Sequence, residues 1–103
     1  MYTRKALVTG CCGFIGGHLT KMLVEQGWDV TGVDDLSNGD PSVLDEINIR
    51  CIPPALLGAY GTQGADSSKT LVITGDFAHE YVLMKVAEGE FDVIFHLAAN
   101  PRV

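Results

Sequence analysis

Three glycines spaced three apart, Gly10, Gly13 and Gly16, stand in the run VTGCCGFIGGHL, and a carboxylate, Asp34, follows 24 residues after the first of them. These residue types at this spacing suit recognition of a pyrophosphate and a ribose. Gly10 permits a tight turn off a strand, Gly13 lets the backbone approach a pyrophosphate, and Gly16 lets the following helix pack closely on a sheet. A helix starting there turns unpaired N–H groups and the positive end of its dipole toward the phosphates. Asp34 can accept both adenosine ribose hydroxyls, whereas it would repel a 2′-phosphate. Asp35 adds to that repulsion, and LSNG after it supplies no Arg, so NAD is expected and not NADP. Two blander readings stand beside this one: a glycine-rich turn without a ligand, and a pair of solvated charges at a strand end.

The glycine turn needs a strand before it and a helix after it. KALVTG (5–10) is a short apolar run ending in Gly, as a buried strand would be, and Ile15, Leu19, Met22 and Leu23 then recur at helical spacing up to Gly27, a natural C-cap. DVTGVDD (29–35) reads as a second strand and DPSVLDEI (40–47) as a short helix with Asp40 as cap and Pro41 at its first position. Residues 50–69 hold two prolines and three glycines and read as a long surface loop. TLVITGD (70–76) is a third strand, FAHEYVLMKVAEG (77–89) a helix and FDVIFHLAA (91–99) a fourth strand. Apolar strands alternating with amphipathic helices imply an α/β fold with a parallel sheet covered on both faces. Right-handed crossovers make it the N-terminal four-strand portion of a Rossmann-type doubly wound sheet.

The totals bound the partners. The 103 residues fit one small domain, and 47% apolar content suffices for a core. A net charge of −6 argues against nucleic acid and anionic membrane, because nothing neutralises phosphates in bulk. One phosphate-bearing ligand stays compatible, since a helix N-terminus binds an anion without Lys or Arg. No membrane-spanning run and no signal peptide is expected, and three cysteines, two of them adjacent, make no disulfide framework. A reduced cytoplasmic protein is the expectation. No metal is expected: the cysteines show no zinc spacing, and His18, His79 and His96 have no ligand spacing among them.

Four stretches together resemble a known family. TGxxGxxG (Thr9 to Gly16), DDLSNG (34–39), the Gly75-Asp76 pair and HLAANP (96–101) look like the extended short-chain dehydrogenase/reductase family. Within it they are most similar to the NAD-dependent nucleotide-sugar epimerases and dehydratases, of the UDP-glucose 4-epimerase type. The resemblance covers nearly the whole chain apart from residues 50–69. It implies that Phe14 and Ile15 give backbone donors to the pyrophosphate and that Ser37, Asn38 and Gly39 line the adenosine end. It also implies Asp76 near the adenine amino group and Leu97, Ala98 and Ala99 as the wall nearest the nicotinamide. The chain departs from the family at Cys11 and Cys12, where small residues are usual, and at Gly17, where Ser is common. Were positive φ required at position 11, Cys there would be strained. Thiols beside a helix start could be oxidation-prone or could be small buried fillers.

The family also uses a Tyr-x-x-x-Lys pair, and Tyr81 and Lys85 in EYVLMK have that spacing. In relatives the pair lies on a helix well beyond the HLAA strand, with a Ser or Thr from the end of the fifth strand. Tyr81 and Lys85 instead precede HLAA on a crossover helix that covers a face of the sheet, so EYVLMK is read as a coincidence of helical spacing. The chain is therefore expected to be the NAD(H)-binding part of an enzyme that moves a hydride transiently between sugar and NAD, without the catalytic groups or the sugar-binding part. The alternative is a non-catalytic NAD-binding or redox-sensing module. The apolar fourth strand would leave an open edge, from which a homo-oligomer is expected.

Overall fold

The structure, a computed structural model, describes residues 3–37, 39–53, 70–75 and 80–98. Its strands are β1 (Lys5–Thr9), β2 (Asp29–Val33), β3 (Ile49–Ile52), β4 (Thr70–Ile73) and β5 (Val93–His96). They form one parallel sheet in the order β3-β4-β2-β1-β5. The α-helices among the described residues are α1 (Phe14–Glu25) and α2 (Glu80–Ala87), and a 3-10 helix spans Pro41–Leu44. None of these helices is long and apolar enough to cross a membrane.

Alternation along β1 explains the layering. Side chains on a strand point to opposite faces in turn. Ala6 and Val8 accordingly join one core with Leu23 of α1, Leu44, Val30 and Val72, while Leu7 joins a second core with Val33, Ile73, Ile52 and Val82 of α2. A strand buried on both faces carries apolar residues continuously, as Ala6, Leu7 and Val8 do here.

Among the described residues five strands are present where four are expected from the sequence. The additional strand, β3, takes up the first residues of the stretch read as a loop, and it pairs with β4 from Ile49↔Thr70 to Ile52↔Ile73. Its anchor is the buried Ile52, and Thr70 N–H donates to Asn48 O at 2.8 Å to start the pairing. The call of residues 54–69 as loop lies outside the described residues. The helix expected over 40–47 is a single 3-10 turn. Its start is as read: Asp40 Oδ1 accepts from Ser42 N–H at 3.0 Å, and Pro41 follows the cap. Leu44 at its end is fully buried against α1's side of the sheet.

The inward face of α1 also differs from the apolar pattern. Ile15 is 69% and Met22 47% exposed, whereas Gly16, Gly17, Thr20 and Leu23 are buried. The helix turns its smallest residues inward, Gly16 against the carbonyl of Gly10 and Gly17 against Val43, and so comes closer to both turns than a Leu/Ile stripe would allow. The helix ends as expected, with Gly27 at φ +88° immediately after the Gln26 cap.

The same closeness recurs on β2. A Cβ built on Gly32 would lie 2.5 Å from Cys11 Sγ and 2.9 Å from Cys11 Cβ. Gly32→Ala is expected to lower stability by about 1–3 kcal/mol by overpacking. The reading is a drop in the urea midpoint at unchanged slope. Adding Cys11→Gly should recover part of the loss, and no recovery would mean that this contact is not the cause.

Candidate functional site

β1 has β2 on one side and β5 on the other. The chain builds outward from β1 through β2 and then returns to add β5 on the opposite side, so the strand order reverses between β1 and β5. Open α/β sheets bind ligands in the crevice outside the carboxyl ends of the strands at such a switch point. The glycine turn leaves β1 there, and Leu97 and Ala98 leave β5 there.

Gly10 has φ +74°, donates its N–H to Val33 O at 2.8 Å, and its carbonyl accepts from Gly13 N–H at 3.1 Å. A Cβ on Gly10 would sit 2.9 Å from Ala98 N, so the turn and the end of β5 touch. A Cβ on Gly16 would lie 2.0 Å from Gly10 O, which no side chain tolerates. Gly13 differs, because among the described residues a Cβ there would meet only Gly10 O, at 3.4 Å. Packing among the described residues therefore does not demand glycine at position 13. Gly13 is also the cap of α1 without a side-chain hydrogen bond to the helix start, and the first turn holds no acidic residue. The Phe14 and Ile15 amides in this first turn are beyond the reach of intrahelical acceptors, while their side chains are exposed.

Asp34 follows β2 directly and is 8% exposed. Its Oδ2 accepts from Cys12 N–H at 2.9 Å and its Oδ1 from Leu36 N–H at 2.8 Å. The carboxylate thus ties the glycine turn to the end of β2. Leu36 has φ +64°, the one non-glycine with positive φ among the described residues. That backbone costs about 1–2 kcal/mol for an L-residue. A hydrogen bond to a charged group contributes about 1.5–3 kcal/mol, enough to offset it. Asp35 is exposed, and its Oδ1 accepts from Ser37 N–H at 2.9 Å and Ser37 Oγ–H at 2.7 Å. These bonds hold its carboxyl below the usual carboxylate range. Gly39 passes so close that a Cβ would be 2.9 Å from Asp34 Oδ2, and Asp40 N–H donates to Cys12 O at 3.0 Å.

The structure therefore gathers Gly10, Gly13, Gly16, Asp34, Gly39, Leu97 and Ala98 around one end of the sheet, with Phe14 and Ile15 on the adjoining helix start. Asp35 and Ser37 bond chiefly to each other. Asn38, Asp76 and Ala99 lie outside the described residues, as does His79. Tyr81 and Lys85 both fall on α2, the crossover between β4 and β5 whose Val82 packs on a face of the sheet. His18 is exposed and meets the Phe14 ring edge-on at 4.8 Å.

Cys11 does not have positive φ, so no backbone strain attaches to it. Both Cys11 and Cys12 are fully buried. The hydrogen bond with Cys12, and then burial, push the Cys11 thiol far up. Neither thiol is presented to solvent, which withdraws support from oxidation sensing.

Sequence reasoning missed Thr9. Its buried hydroxyl accepts from Leu97 N–H at 3.0 Å and from Ala98 N–H at 3.1 Å, and it lies 2.8 Å from His96 Nδ1. With both lone pairs used, the hydroxyl proton is the one left to face Nδ1. The available signal was a polar residue closing an otherwise apolar strand. Thr9→Val keeps the shape and removes the acceptor for Ala98 N–H. A loss of about 1–3 kcal/mol is expected in urea unfolding, against less than about 1 kcal/mol for Thr9→Ser. Equal losses in the two variants would count against this role.

Fold and site together define a parallel α/β nucleotide-binding sheet with a glycine turn at its switch point. The sequence matches the model of the NAD dependent epimerase/dehydratase family over residues 6–103, and the chain belongs to that family. It is 36% identical over 93 residues to UDP-glucose 4-epimerase 3 of Oryza sativa subsp. japonica, covering 89% of this chain and 22% of that protein. It is 34% identical over 98 residues to UDP-N-acetyl-alpha-D-glucosaminuronate decarboxylase of Bacillus cytotoxicus, covering 93% and 24%. Among solved structures it resembles the UDP-glucose-4-epimerase of Stenotrophomonas maltophila with bound NAD and formylated UDP-arabinopyranose. That likeness has a TM-score of 0.63 and 28% identity, covering 97% of this chain and 26% of that one. The chain thus spans about a quarter of the length of the relatives it matches.

Proposed function

We propose that this chain is the NAD-binding portion of a nucleotide-sugar epimerase or dehydratase. The observation that carries the reading is Gly13: it stands at the start of α1, beside the switch point, where packing among the described residues demands no glycine. A pyrophosphate there would take the first-turn amides of Phe14 and Ile15 and the positive end of the helix. Asp34 uses one lone pair on each oxygen for Cys12 and Leu36, and a carboxylate has about four such sites, so two remain for ribose hydroxyls. Asp34 and Asp35 together disfavour a 2′-phosphate. Leu97 and Ala98, held by Thr9, would wall the nicotinamide side, with Ala99 next to them; Ser37, Asn38 and Gly39 would line the adenosine end and Asp76 the adenine.

When bound, NAD supplies a hydride acceptor, and in the complete protein that hydride would pass transiently from and to a nucleotide sugar. The proton-transferring Ser/Thr and Tyr-x-x-x-Lys groups would be supplied outside these 103 residues, since EYVLMK lies on the wrong crossover. Free Cys11, Cys12 and Cys51 suit a reducing cytoplasm, and a net charge of −6 suits neither nucleic acid nor an anionic membrane.

Calorimetric titration with NAD and, separately, NADP tests the cofactor reading. NAD should bind and NADP should not. Asp34→Ala should weaken NAD by about tenfold or more, the loss of a charge-assisted hydrogen bond, with unfolding measured in parallel. Binding of neither nucleotide to the folded chain would sink the reading.

The open edge of β5 suggests self-association of this chain. Val93 and Ile94 are 37% and 45% exposed, although they belong to an apolar strand. Light scattering at high concentration should find species larger than the monomer, paired through that edge. A monomer whose β5 edge amides nevertheless exchange slowly would contradict it.

A further inference from the structure

Adjacent side chains on an extended strand point to opposite faces. Cys11 and Cys12, in the turn that leaves β1, point the same way instead, and their sulfurs stand 3.9 Å apart. The end of β2 brings a third donor to them. Both Sγ atoms and a carboxylate oxygen of Asp34 lie within 4.8 Å of one another, and all three residues are buried. Sequence spacing gives no hint of this set, because 22 residues separate Cys12 from Asp34.

The dimensions are those of a small tetrahedral ion. Metal–thiolate bonds of about 2.3 Å at tetrahedral angles place two sulfurs roughly 3.8 Å apart, and a carboxylate oxygen joins at about 2.0–2.2 Å. Two sulfur donors select zinc or cadmium over magnesium or calcium. Asp34 has a lone pair left on each oxygen beyond those given to the Cys12 and Leu36 amides.

We propose that Cys11, Cys12 and Asp34 form a three-donor site for a thiophilic divalent cation, and that its occupation denies Asp34 to the adenosine ribose. Each thiol loses its proton to solvent as its sulfur joins the ion, and the fourth position takes a water. Asp34 is the least buried of the three, so the ion enters from the side on which the ribose would lie. The competition rests on the cofactor reading given above; uptake of the ion does not.

The test uses the full chain carrying Cys51→Ser, which removes the exposed thiol. Cadmium chloride is added under a non-thiol reductant, and the ultraviolet sulfur-to-cadmium charge-transfer band is followed. The band should saturate at one ion per chain and disappear in Cys11→Ser and in Cys12→Ser. It should need about tenfold more cadmium in Asp34→Ala. Circular dichroism establishes that each variant is folded, and the stoichiometry in the parent chain decides even where one is not. One equivalent of cadmium should raise the Kd for NAD about tenfold or more in the parent and leave it unmoved in Cys12→Ser. No band, or a band that survives Cys12→Ser, overturns the site. A band without any effect on NAD binding overturns the competition. A chain that takes up cadmium but never binds NAD overturns the cofactor reading and leaves the ion site standing.

Discussion

No room for a single methyl group exists between the carbonyl of Gly10 and the Cα of Gly16, and much of the molecule follows from that contact. A Cβ at position 16 would be 2.0 Å from the oxygen, well inside any van der Waals distance. Because the gap is closed by backbone alone, α1 begins directly against the turn it leaves. Gly17, Thr20 and Leu23 are buried behind it, Gly17 against Val43 of the 3-10 turn, and Thr20 Oγ–H returns to Gly16 O at 2.7 Å to fix the first turn. The exposed Phe14 and Ile15 are the counterpart of this closeness: a helix that presents small residues inward must carry its larger ones outward.

Asp34 and Thr9 fasten the two sides of the crevice by the same means. Each is a buried polar side chain at the end of a strand, and each accepts two backbone N–H bonds from a segment outside the strands and helices. Buried polar groups are costly unless paired, so the pairing is specific: Asp34 takes Cys12 and Leu36, and Thr9 takes Leu97 and Ala98. The left-handed backbone at Leu36 is explained on these terms, since its N–H meets a carboxylate. The segments on both sides of the crevice are thereby held in place.

How much of this was legible in the sequence depended on distance along the chain. The glycine turn, the helix stop at Gly27 and the Asp40 cap are local devices whose partners lie within a few residues, and they were read correctly. β3 was not, because Ile49–Ile52 is four residues long and runs into two prolines. Only pairing with β4 makes it a strand. The face of α1 was misjudged because hydrophobic periodicity counts Ile15 and Met22 and gives no weight to Gly16 and Gly17, whose value is their small size. Thr9 and the Cys11, Cys12 and Asp34 cluster escaped for a simpler reason: their partners are 87 and 22 residues away. No local pattern encodes such contacts.

That separation also sets an order of assembly. β1 pairs with β2 from Lys5↔Asp29 onward, a short loop in chain terms, but with β5 only from Ala6↔Val93. Chains emerge from the ribosome N-terminus first, so the glycine turn and Asp34 would already be in place while one edge of β1 stayed open and the Thr9 hydroxyl awaited its amides. Pairings between residues so far apart are slow to form. The crevice at the switch point thus gains its second wall only when β5 arrives, and the emerging chain carries one wall of it long before the other.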